Sequence, residues 1–316
     1  MSAPPPAVPP PLRVRAPRQD DVEALTAMYV RANVADFGEA DTDADDVESI
    51  WRWPGLEPEH DVTVVVDEHD SPAGYAWVHD GSSADLTVDP DWRGRGIGGA
   101  LLAWLVARAA EQAGRLGRRT SLKLDALSGD KAAVRLLEAA GFRPTRATLL
   151  MGVELTGERP APAWPDGVGQ RPFDTGRDAR AAHALITEAF RDVAGSTPRT
   201  FQHWSTFTVE RSDFDPGLCV RAVSHSGDRL VGVSLNHSFE GDGFVQYLAV
   251  ARDWRRRGLG EALLLASFAR MAERGMPRAT LFVDADNTTG AGRLYERAGM
   301  RERHRWDRWE LDVGPA

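Results

Sequence analysis

Apolar residues recur along the chain in runs that predict the same series of strands and helices twice. Each half is predicted to hold a short strand, a helix, three further strands, an amphipathic helix, a fifth strand, another helix and a terminal strand. In the first half these segments are 12–15, 22–34, 61–67, 73–79, a strand ending at Val88, a helix carrying Leu101, Leu102 and Leu105, 121–127, a helix ending at Ala140, and 147–155. In the second half they are 167–171, 181–190, 218–224, 230–237, a strand ending at Val250, a helix carrying Leu263, Leu264 and Phe268, 279–285, a helix ending at Ala298, and 306–313. Strands and helices mixed in this order predict an α/β fold with helices packed around a central sheet.

Two sequence motifs also occur twice. The segment DWRGRGIG at 91–98 recurs as DWRRRGLG at 253–260, an offset of 162 residues. Downstream, RLLEAAGFR at 135–143 matches RLYERAGMR at 293–301, an offset of 158 residues. A period of about 160 residues is the size of a domain and far exceeds the period of solenoid repeats. The chain is therefore predicted to contain a duplicated domain.

A proline-rich segment marks the boundary between the two copies. Residues 157–166 carry three prolines and are expected to form a linker. We place the first domain at 12–156 and the second at 167–313. Residues 1–11 are also rich in proline and are expected to form a disordered tail.

The composition is that of an ordinary globular protein with an acidic balance. The 316 residues include 38 Lys and Arg against 47 Asp and Glu, which gives a net charge of −9. Proteins that bind nucleic acid usually have an excess of basic residues instead. No apolar run reaches the roughly 18–20 residues that span a membrane, so we expect neither a nucleic-acid nor a membrane partner.

The single cysteine, Cys219, excludes an internal disulfide and a multi-cysteine metal site and fits a reducing cytoplasm. It lies in an apolar run that predicts a buried thiol.

Arginine and glycine alternate in a loop between the fourth strand and the next helix of each half. Glycine lets the backbone turn tightly and approach a ligand, and the free N–H groups at a helix start attract phosphate. The loop therefore predicts a pyrophosphate cradle to which arginines add positive charge. The candidate residues are Arg93, Gly94, Arg95, Gly96, Ile97 and Gly98 in the first half, and Arg255, Arg256, Arg257, Gly258, Leu259 and Gly260 in the second. The loop lacks the Gly-Lys-Ser/Thr of a triphosphate-binding loop and the spacing of a dinucleotide-binding loop.

This loop resembles motif A of the GNAT superfamily of N-acetyltransferases, written Q/R-x-x-G-x-G/A, and the order of elements is similar to that family over nearly the whole chain, twice. The resemblance implies two tandem GNAT-like domains, each with a mixed, mostly antiparallel central sheet flanked by helices. It also implies acetyl-CoA as the co-substrate and no metal, with pyrophosphate on the loop and pantetheine along the fourth strand. The residues expected beside pantetheine are Leu86 and Val88 in the first half and Leu248, Ala249 and Val250 in the second. The tandem arrangement resembles the mycothiol synthase branch of the superfamily.

One tyrosine distinguishes the two halves. In the family that the loop resembles, a tyrosine in the helix after the fifth strand is commonly the general acid. Tyr295 stands there, whereas the equivalent residue of the first half is Leu137. Leucine cannot donate a proton, so we expect the second domain to be catalytic and the first to be non-catalytic. Asn287 precedes Tyr295 by eight residues, and we assign it either to cofactor binding or to capping the helix.

The general base is left open by the sequence. Mycothiol synthases carry a glutamate on the fourth strand, whereas residues 243–247 offer no carboxylate. The alternatives are Asp242, Glu240, Asp284 and His237, acting directly or through water.

The sequence therefore predicts an acetyl-CoA-dependent N-acetyltransferase that acetylates the amine of a small molecule by direct transfer. The alternatives are acetylation of a thiol precursor, as in mycothiol synthases, and a non-catalytic protein that senses acyl-CoA. The acceptor is left open, and so is the oligomeric state, which is either a monomer whose two fused domains mimic a dimer or a homodimer.

Overall fold

In the computed structural model, the chain divides into two units whose limits do not follow the sequence repeat. The structure describes residues 4–38, 40, 42–157, 159–191, 199–211, 214–227, 229–239, 241–286 and 290–314. Unit 1 contains Met1–Ala147 and Arg305–Ala316, and unit 2 contains Thr148–His304.

Both units combine strands with helices, as the apolar pattern predicts. The strands are β1 (Arg13–Arg15), β2 (Val62–Val66), β3 (Pro72–His79), β4 (Ser83–Val88), β5 (Thr120–Leu127), β6 (Arg143–Glu154), β7 (Val168–Pro172), β8 (Val220–Ser224), β9 (Leu230–Phe239), β10 (Asp242–Val250), β11 (Arg278–Asp284) and β12 (Arg301–Val313). The helices are α1 (Val22–Phe37), α2 (Ala44–Trp51), α3 (Pro58–Asp61), α4 (Ile97–Leu116), α5 (Lys131–Ala139), α6 (Thr175–Ala189), α7 (Phe201–Thr206), α8 (Leu259–Glu273) and α9 (Ala291–Arg297).

Each unit is built on a mixed, mostly antiparallel sheet. The strand order is β1-β2-β3-β4-β5-β12 in unit 1 and β7-β8-β9-β10-β11-β6 in unit 2. Only the pairs β4 with β5 and β10 with β11 are parallel within these two orders, and the other pairs are antiparallel. The fold class that the sequence predicts is therefore confirmed.

The closing strand of each unit comes from the other sequence repeat. Residues 306–313 of β12 pair with β5 in unit 1, from Trp306 opposite Leu127 to Val313 opposite Thr120. Residues 148–154 of β6 pair with β11 in unit 2 in the same manner. The sequence domains proposed at 12–156 and 167–313 thus exchange their last strands, and the structural units have different limits. The apolar pattern could not reveal this exchange, because β6 and β12 are equivalent strands of the two repeats.

Helices cover both faces of each sheet. Because successive side chains of a strand point to opposite faces, Ala76 of β3 belongs to the apolar cluster of α4, whereas Tyr75 belongs to that of α1 and α2. In unit 2, Leu281 of β11 clusters with residues of α8, and Leu235 of β9 clusters with residues of α6 and α7. The two faces of the unit 2 sheet are therefore distinguished by α8 on one side and by α6 and α7 on the other.

The sequence pattern missed the short helices α2, α3 and α7 among the described residues. Helix α2 begins after Asp43, whose carboxylate accepts a hydrogen bond from the Asp46 N–H at 3.0 Å, while the Asp46 carboxylate accepts one from the Asp43 N–H. Such a reciprocal cap stabilises a helix too short to show a helical period. Helix α6 begins at Thr175, six residues before the predicted start, and β6 and β12 each begin several residues earlier than predicted.

The thiol of Cys219 is buried, as predicted. Its burial raises the pKa of the thiol to about 12, because a thiolate is poorly solvated in apolar surroundings. The thiol is therefore unreactive at neutral pH. None of the described helices is both long and apolar enough to cross a membrane.

The strand exchange predicts that the first sequence domain is not stable alone. A fragment of residues 1–156 lacks residues 306–313, so one edge of β5 loses its partner, and Trp309 and Val313 leave the core of unit 1. We expect this fragment to aggregate or to remain unfolded, which size-exclusion chromatography and circular dichroism measure. As a control, the full chain with Trp309→Ala keeps the strand and is expected to lose about 3–5 kcal/mol of unfolding free energy. A folded, monomeric fragment would contradict the role of the exchanged strand.

Candidate functional site

The two parallel strands of unit 2, β10 and β11, share a very short ladder. Gly243 pairs with Ala279 and Phe244 with Thr280, at the start of both strands. From residue 245 to residue 250, a stretch that the structure describes completely, β10 pairs only with β9 on its other side. The strands therefore fork toward their carboxyl ends. The stretch of β10 along this fork is roughly 20 Å long, and its backbone groups toward β11 have no ladder partner.

A β-bulge interrupts β10 inside the fork. Val245 pairs with Asn236 and Tyr247 with Leu235, so Gln246 is an extra residue that has no partner on β9. A bulge increases the local twist and changes the direction of the neighbouring backbone groups. It therefore gives this part of the fork N–H groups whose direction a regular ladder would not allow.

The residues predicted beside pantetheine follow the bulge at the open end of β10. Ala249 is fully buried in the cluster of α6 and α7, whereas Leu248 and Val250 are half-buried and pack against the cluster of α8. These side chains anchor β10 to the helices on both faces. The backbone of the same residues borders the fork and is the part that can contact a ligand.

The arginine–glycine loop connects the open end of β10 to α8. After a single 3₁₀ turn at Arg252–Trp254, Arg255 is extended, Arg256 has a φ of +60° and Gly258 a φ of +83°. A Cβ at Gly258 would meet nothing within 4 Å, so its conformation and not crowding requires glycine. Leu259 is buried. The residue that caps α8 is Gly258, which has no side chain to accept hydrogen bonds from the N–H groups of the first turn. The loop thus presents free N–H groups at a fixed helix start, which is a site for an anion.

The last glycine of the loop lets three elements meet. A Cβ at Gly260 would lie 3.3 Å from Leu294 of α9 and 3.8 Å from Val250. Gly98 of unit 1 has the same role, since its Cβ would lie 3.4 Å from Leu136. Each loop therefore packs closely against the helix that follows the fifth strand.

The arginine side chains of the loop have separate partners. Arg255 donates from Nε to the Val250 carbonyl at 3.2 Å and from Nη2 to a carbonyl at the end of α6 at 3.3 Å. Arg257 lies over the ring of Trp254 with 4.9 Å between the guanidinium carbon and the ring centroid. Arg256 and Arg257 are exposed. Arg255 therefore fixes the strand end, and the exposed positive charge of the loop comes from the two arginines after it.

Tyr295 lies on α9 and packs against the apolar cluster that includes Val245, Leu264 and Val283. Burial in these surroundings raises the pKa of Tyr295 to about 12, because the phenolate is poorly solvated there. The phenol is protonated throughout the physiological pH range, which is the state that a proton donor requires.

Comparison with known proteins identifies the family of both halves. Residues 180–300 match the family model described as acetyltransferase (GNAT) family, and residues 59–144 match the model described as acetyltransferase (GNAT) domain. The mycothiol acetyltransferase of Thermobispora bispora is 38% identical over 259 residues, which cover 77% of this chain and 79% of that protein. The chain belongs to the GNAT family. It is an N-acetyltransferase, and the resemblance drawn from its loop and element order is confirmed.

Other relatives of this acetyltransferase share its tandem arrangement or its length. The mycothiol acetyltransferase of Clavibacter sepedonicus is 35% identical over 243 residues, which cover 74% of this chain and 75% of that protein. A GCN5-related N-acetyltransferase from Sphaerobacter thermophilus has a TM-score of 0.81 and 31% identity, and the match covers 98% of both chains. A tandem GNAT protein from the clavulanic acid biosynthesis pathway has a TM-score of 0.72 at 19% identity and covers 96% of this chain and 99% of that one. That last likeness is one of fold alone.

Unit 1 of the acetyltransferase keeps the loop and the short parallel ladder, and it lacks the bulge and the tyrosine. Gly96 has a φ of +86° directly before α4, and the parallel ladder of β4 with β5 is a single pair, Ser83 with Lys123. The antiparallel ladder of β3 and β4 runs without a bulge. Leu137 is buried in the place of Tyr295. Half-buried Leu86 and Val88, predicted beside pantetheine, pack on the core of this unit.

The arginines of the unit 1 loop are held as in unit 2. Arg93 donates from Nε to the Val88 carbonyl at 3.3 Å, and its Nη1 and Nη2 pair with the Asp36 carboxylate at 2.5 and 2.9 Å. Arg95 lies over the ring of Trp92 at 4.6 Å. In both loops, therefore, the first arginine closes the end of the strand, and the arginine two residues later stacks on the preceding tryptophan.

Sequence reasoning missed a carboxylate on β4 of unit 1. The Tyr29 hydroxyl donates to Oδ2 of Asp85 at 2.7 Å. Burial raises the pKa of Asp85, and the hydrogen bond from Tyr29 opposes this rise. The available signal was an acidic residue inside the strand segment Ser83–Val88. The pair satisfies a buried polar group and lies in the unit that lacks the bulge and the tyrosine acid.

The candidate bases of unit 2 have partners of their own. Asp242 pairs with Arg278 at 2.6 Å, and Asp284 accepts a hydrogen bond from the Asp286 N–H at 2.9 Å. The ring of His237 contacts another aromatic ring on β10. Two further residues singled out from the sequence lie outside the described residues, Glu240 and Asn287. The identity of the base therefore stays open.

The positive φ of Arg256 predicts a stabilising substitution. Unit 1 has Gly94, with a φ of +75°, at the equivalent position, and an L side chain in this region costs about 1 kcal/mol relative to glycine. Arg256→Gly is therefore expected to raise the free energy of unfolding by about 1 kcal/mol in urea titrations. Gly94→Ala is the matched change in the opposite direction and is expected to lower it by a similar amount. An unchanged or lower value for Arg256→Gly would show that the loop carries no such strain.

The raised pKa of Tyr295 predicts a pH dependence of stability. The folded state holds the phenolic proton more tightly than the unfolded state, whose tyrosine titrates near its ordinary pKa of about 10. The contribution of Tyr295 to stability is therefore complete below about pH 10 and decreases as the pH rises toward about 12. Unfolding free energies measured from neutral pH to about pH 11 should fall more steeply for the wild type than for Tyr295→Phe. Parallel curves for the two proteins would contradict the raised pKa.

Proposed function

We propose that unit 2 transfers the acetyl group of acetyl-CoA to the amine of a small molecule, directly and within a ternary complex. The observation that carries this proposal is the combination in one unit of the forked strands, the bulge, the arginine–glycine loop and Tyr295. Unit 1 has the loop without the bulge or the tyrosine. We therefore assign catalysis to unit 2 and a supporting or binding role to unit 1.

The residues of unit 2 fit acetyl-CoA as a co-substrate. Free N–H groups at the start of α8, with Arg256 and Arg257 beside them, suit its pyrophosphate. The unpaired side of β10 from Leu248 to Val250 suits its pantetheine arm, which has amide groups that can pair with a strand edge. When bound, this co-substrate supplies an activated acetyl thioester. The backbone of the loop and of β10, rather than the buried side chains of Leu259 and Ala249, would make these contacts.

Transfer requires one bond to form and one to break. The neutral amine attacks the thioester carbonyl, the C–N bond forms, and collapse of the tetrahedral intermediate breaks the C–S bond. A backbone N–H of β10 beyond the bulge stabilises the oxyanion, and the Tyr295 hydroxyl donates a proton to the departing thiolate. The amine loses its proton to water or to one of the open candidate bases.

The relatives support a second candidate acceptor. Proteins at 38% and 35% identity are mycothiol acetyltransferases, so acetylation of a thiol precursor that carries an amine is the alternative function. Mycothiol synthases carry a glutamate on the fourth strand, and residues 243–247 contain no carboxylate. This difference favours the amine of another small molecule as the acceptor. We further propose that the enzyme acts in the cytoplasm on a small molecule, without nucleic acid or membrane, as a monomer or a homodimer.

Replacing the proposed acid tests the function directly. Tyr295→Phe is expected to lower kcat by about 10²–10⁴, the usual contribution of a general acid or base. The assay is thiol release from acetyl-CoA across a panel of amines, in which the single buried Cys219 adds little background.

The matched control removes a tyrosine hydroxyl from unit 1. Tyr29→Phe loses the hydrogen bond to Asp85 and is expected to keep kcat within about threefold, because the chemistry is assigned to unit 2. A fall of less than about threefold in Tyr295→Phe would place the acid elsewhere. A large loss in Tyr29→Phe alone would move the chemistry to unit 1.

A further inference from the structure

We infer that the acceptor site of unit 2 selects amines attached to an aromatic or other flat apolar group. This inference rests on the proposed function and adds the class of acceptor to it. It is carried by three rings that cross the sheet at the closed end of the fork, and we call them the ring row. They belong to His237 of β9, Phe244 of β10 and Phe282 of β11.

The ring row is continuous across three neighbouring strands. His237 and Phe244 are cross-strand partners whose ring centroids lie 5.0 Å apart with an interplanar angle of 42°. The centroids of Phe244 and Phe282 lie 5.7 Å apart with an angle of 59°. Both distances lie in the range of attractive ring contacts. The three side chains therefore form one continuous surface of rings, of which the two phenylalanines are apolar.

The ring row lies on the face of the sheet that is opposite α8. Leu281 and Val283 flank Phe282 along β11, and both are buried in the cluster of α8. Since side chains alternate along a strand, Phe282 points to the other face. On that face α6 and α7 cover Leu235 and Tyr247, whereas Phe282 is 48% exposed. The helices thus leave the ring row accessible from solvent.

The ring row also stands beside the expected position of the acetyl group. The β10–β11 ladder ends at Phe244 and Thr280, and the bulged Gln246 follows two residues later. A pantetheine arm that enters the fork from the arginine–glycine loop and runs along β10 ends at this point. An amine that approaches from the open face, away from α8, passes over the rings to reach it.

The charges near the ring row do not favour a polycationic acceptor. Residues 243–247 and 279–283 contain no carboxylate. Asp284 follows the second segment on the face of Phe282, and its carboxylate already accepts a hydrogen bond from the Asp286 N–H at 2.9 Å. The carboxylate of Asp242, directly before this segment, is paired with Arg278 at 2.6 Å. An acceptor can therefore gain more from stacking an apolar ring on Phe244 and Phe282 than from a second ammonium group.

The experiment measures acceptor preference and its dependence on the ring row. Acetyl transfer is assayed with 2-phenylethylamine, n-butylamine and the amine-bearing thiol precursor of mycothiol, using the wild type, Phe244→Leu and Phe282→Leu. The wild type is expected to show a kcat/KM about tenfold higher for 2-phenylethylamine than for n-butylamine. Each variant should lower this ratio about fivefold, mainly through a lower kcat/KM for 2-phenylethylamine, with the KM for acetyl-CoA unchanged within about twofold. Phe207→Leu, at a phenylalanine that is 54% exposed outside the ring row, is the matched control and should keep the ratio.

The outcomes separate this inference from the proposed function. Equal or higher kcat/KM for n-butylamine or for the thiol precursor would overturn the acceptor class and leave acetyl transfer established. If no amine releases CoA, the proposed function fails, and calorimetric titration of 2-phenylethylamine into the CoA-saturated protein decides on the ring row. Binding that weakens about fivefold in Phe244→Leu would support the row, and no binding to the wild type would overturn it.

Discussion

Parallel strands that share only one or two residue pairs have to be fixed by their other neighbours. In unit 2, β10 is paired with β9 along nearly its whole length, and β11 is paired with β6 from Arg278 to Asp284. Arg255 adds hydrogen bonds at the open end of β10. Both strands keep a ladder on their outer sides, and these ladders hold them in place although their inner edges share only two residue pairs. The loop, the start of α8 and the helix that carries Tyr295 all take their positions from the ends of these two strands.

The two halves of this acetyltransferase show which parts of the site are separable. The arginine–glycine loop has the same backbone in both, with the first arginine on the strand end and the arginine two residues later on a tryptophan ring. In unit 2, a non-glycine residue occupies the left-handed position at Arg256, a kind of strain that tends to occur at functional sites. In unit 1 the same position is a relaxed glycine. The loop is thus a property of the fold, whereas the bulge and the tyrosine belong to one half.

Sequence periodicity predicted the order of strands and helices, and the repeated motifs predicted the duplication, the loop and the place of Tyr295. The sequence could not show which copy β6 and β12 pair with, since equivalent strands have equivalent patterns. The bulge at Gln246 is one residue in a strand that lies between helices on both faces, so it leaves no visible break in the apolar pattern. The partners of Arg255 and the exposure of Phe282 depend on how neighbouring elements pack, which spacing alone does not determine.

The exchange of closing strands also links the folding of the two halves during synthesis. The partner of β5 is the segment from Trp306 to Val313, and it leaves the ribosome roughly 180 residues after β5 itself. At typical elongation rates this is a delay of roughly 10–40 s. During this interval β5 has an unpaired edge, and an apolar strand edge is a template for aggregation. The exchange therefore makes the folding of the two halves cooperative. It also makes folding depend on contacts between residues far apart in sequence, which are the slowest contacts to form.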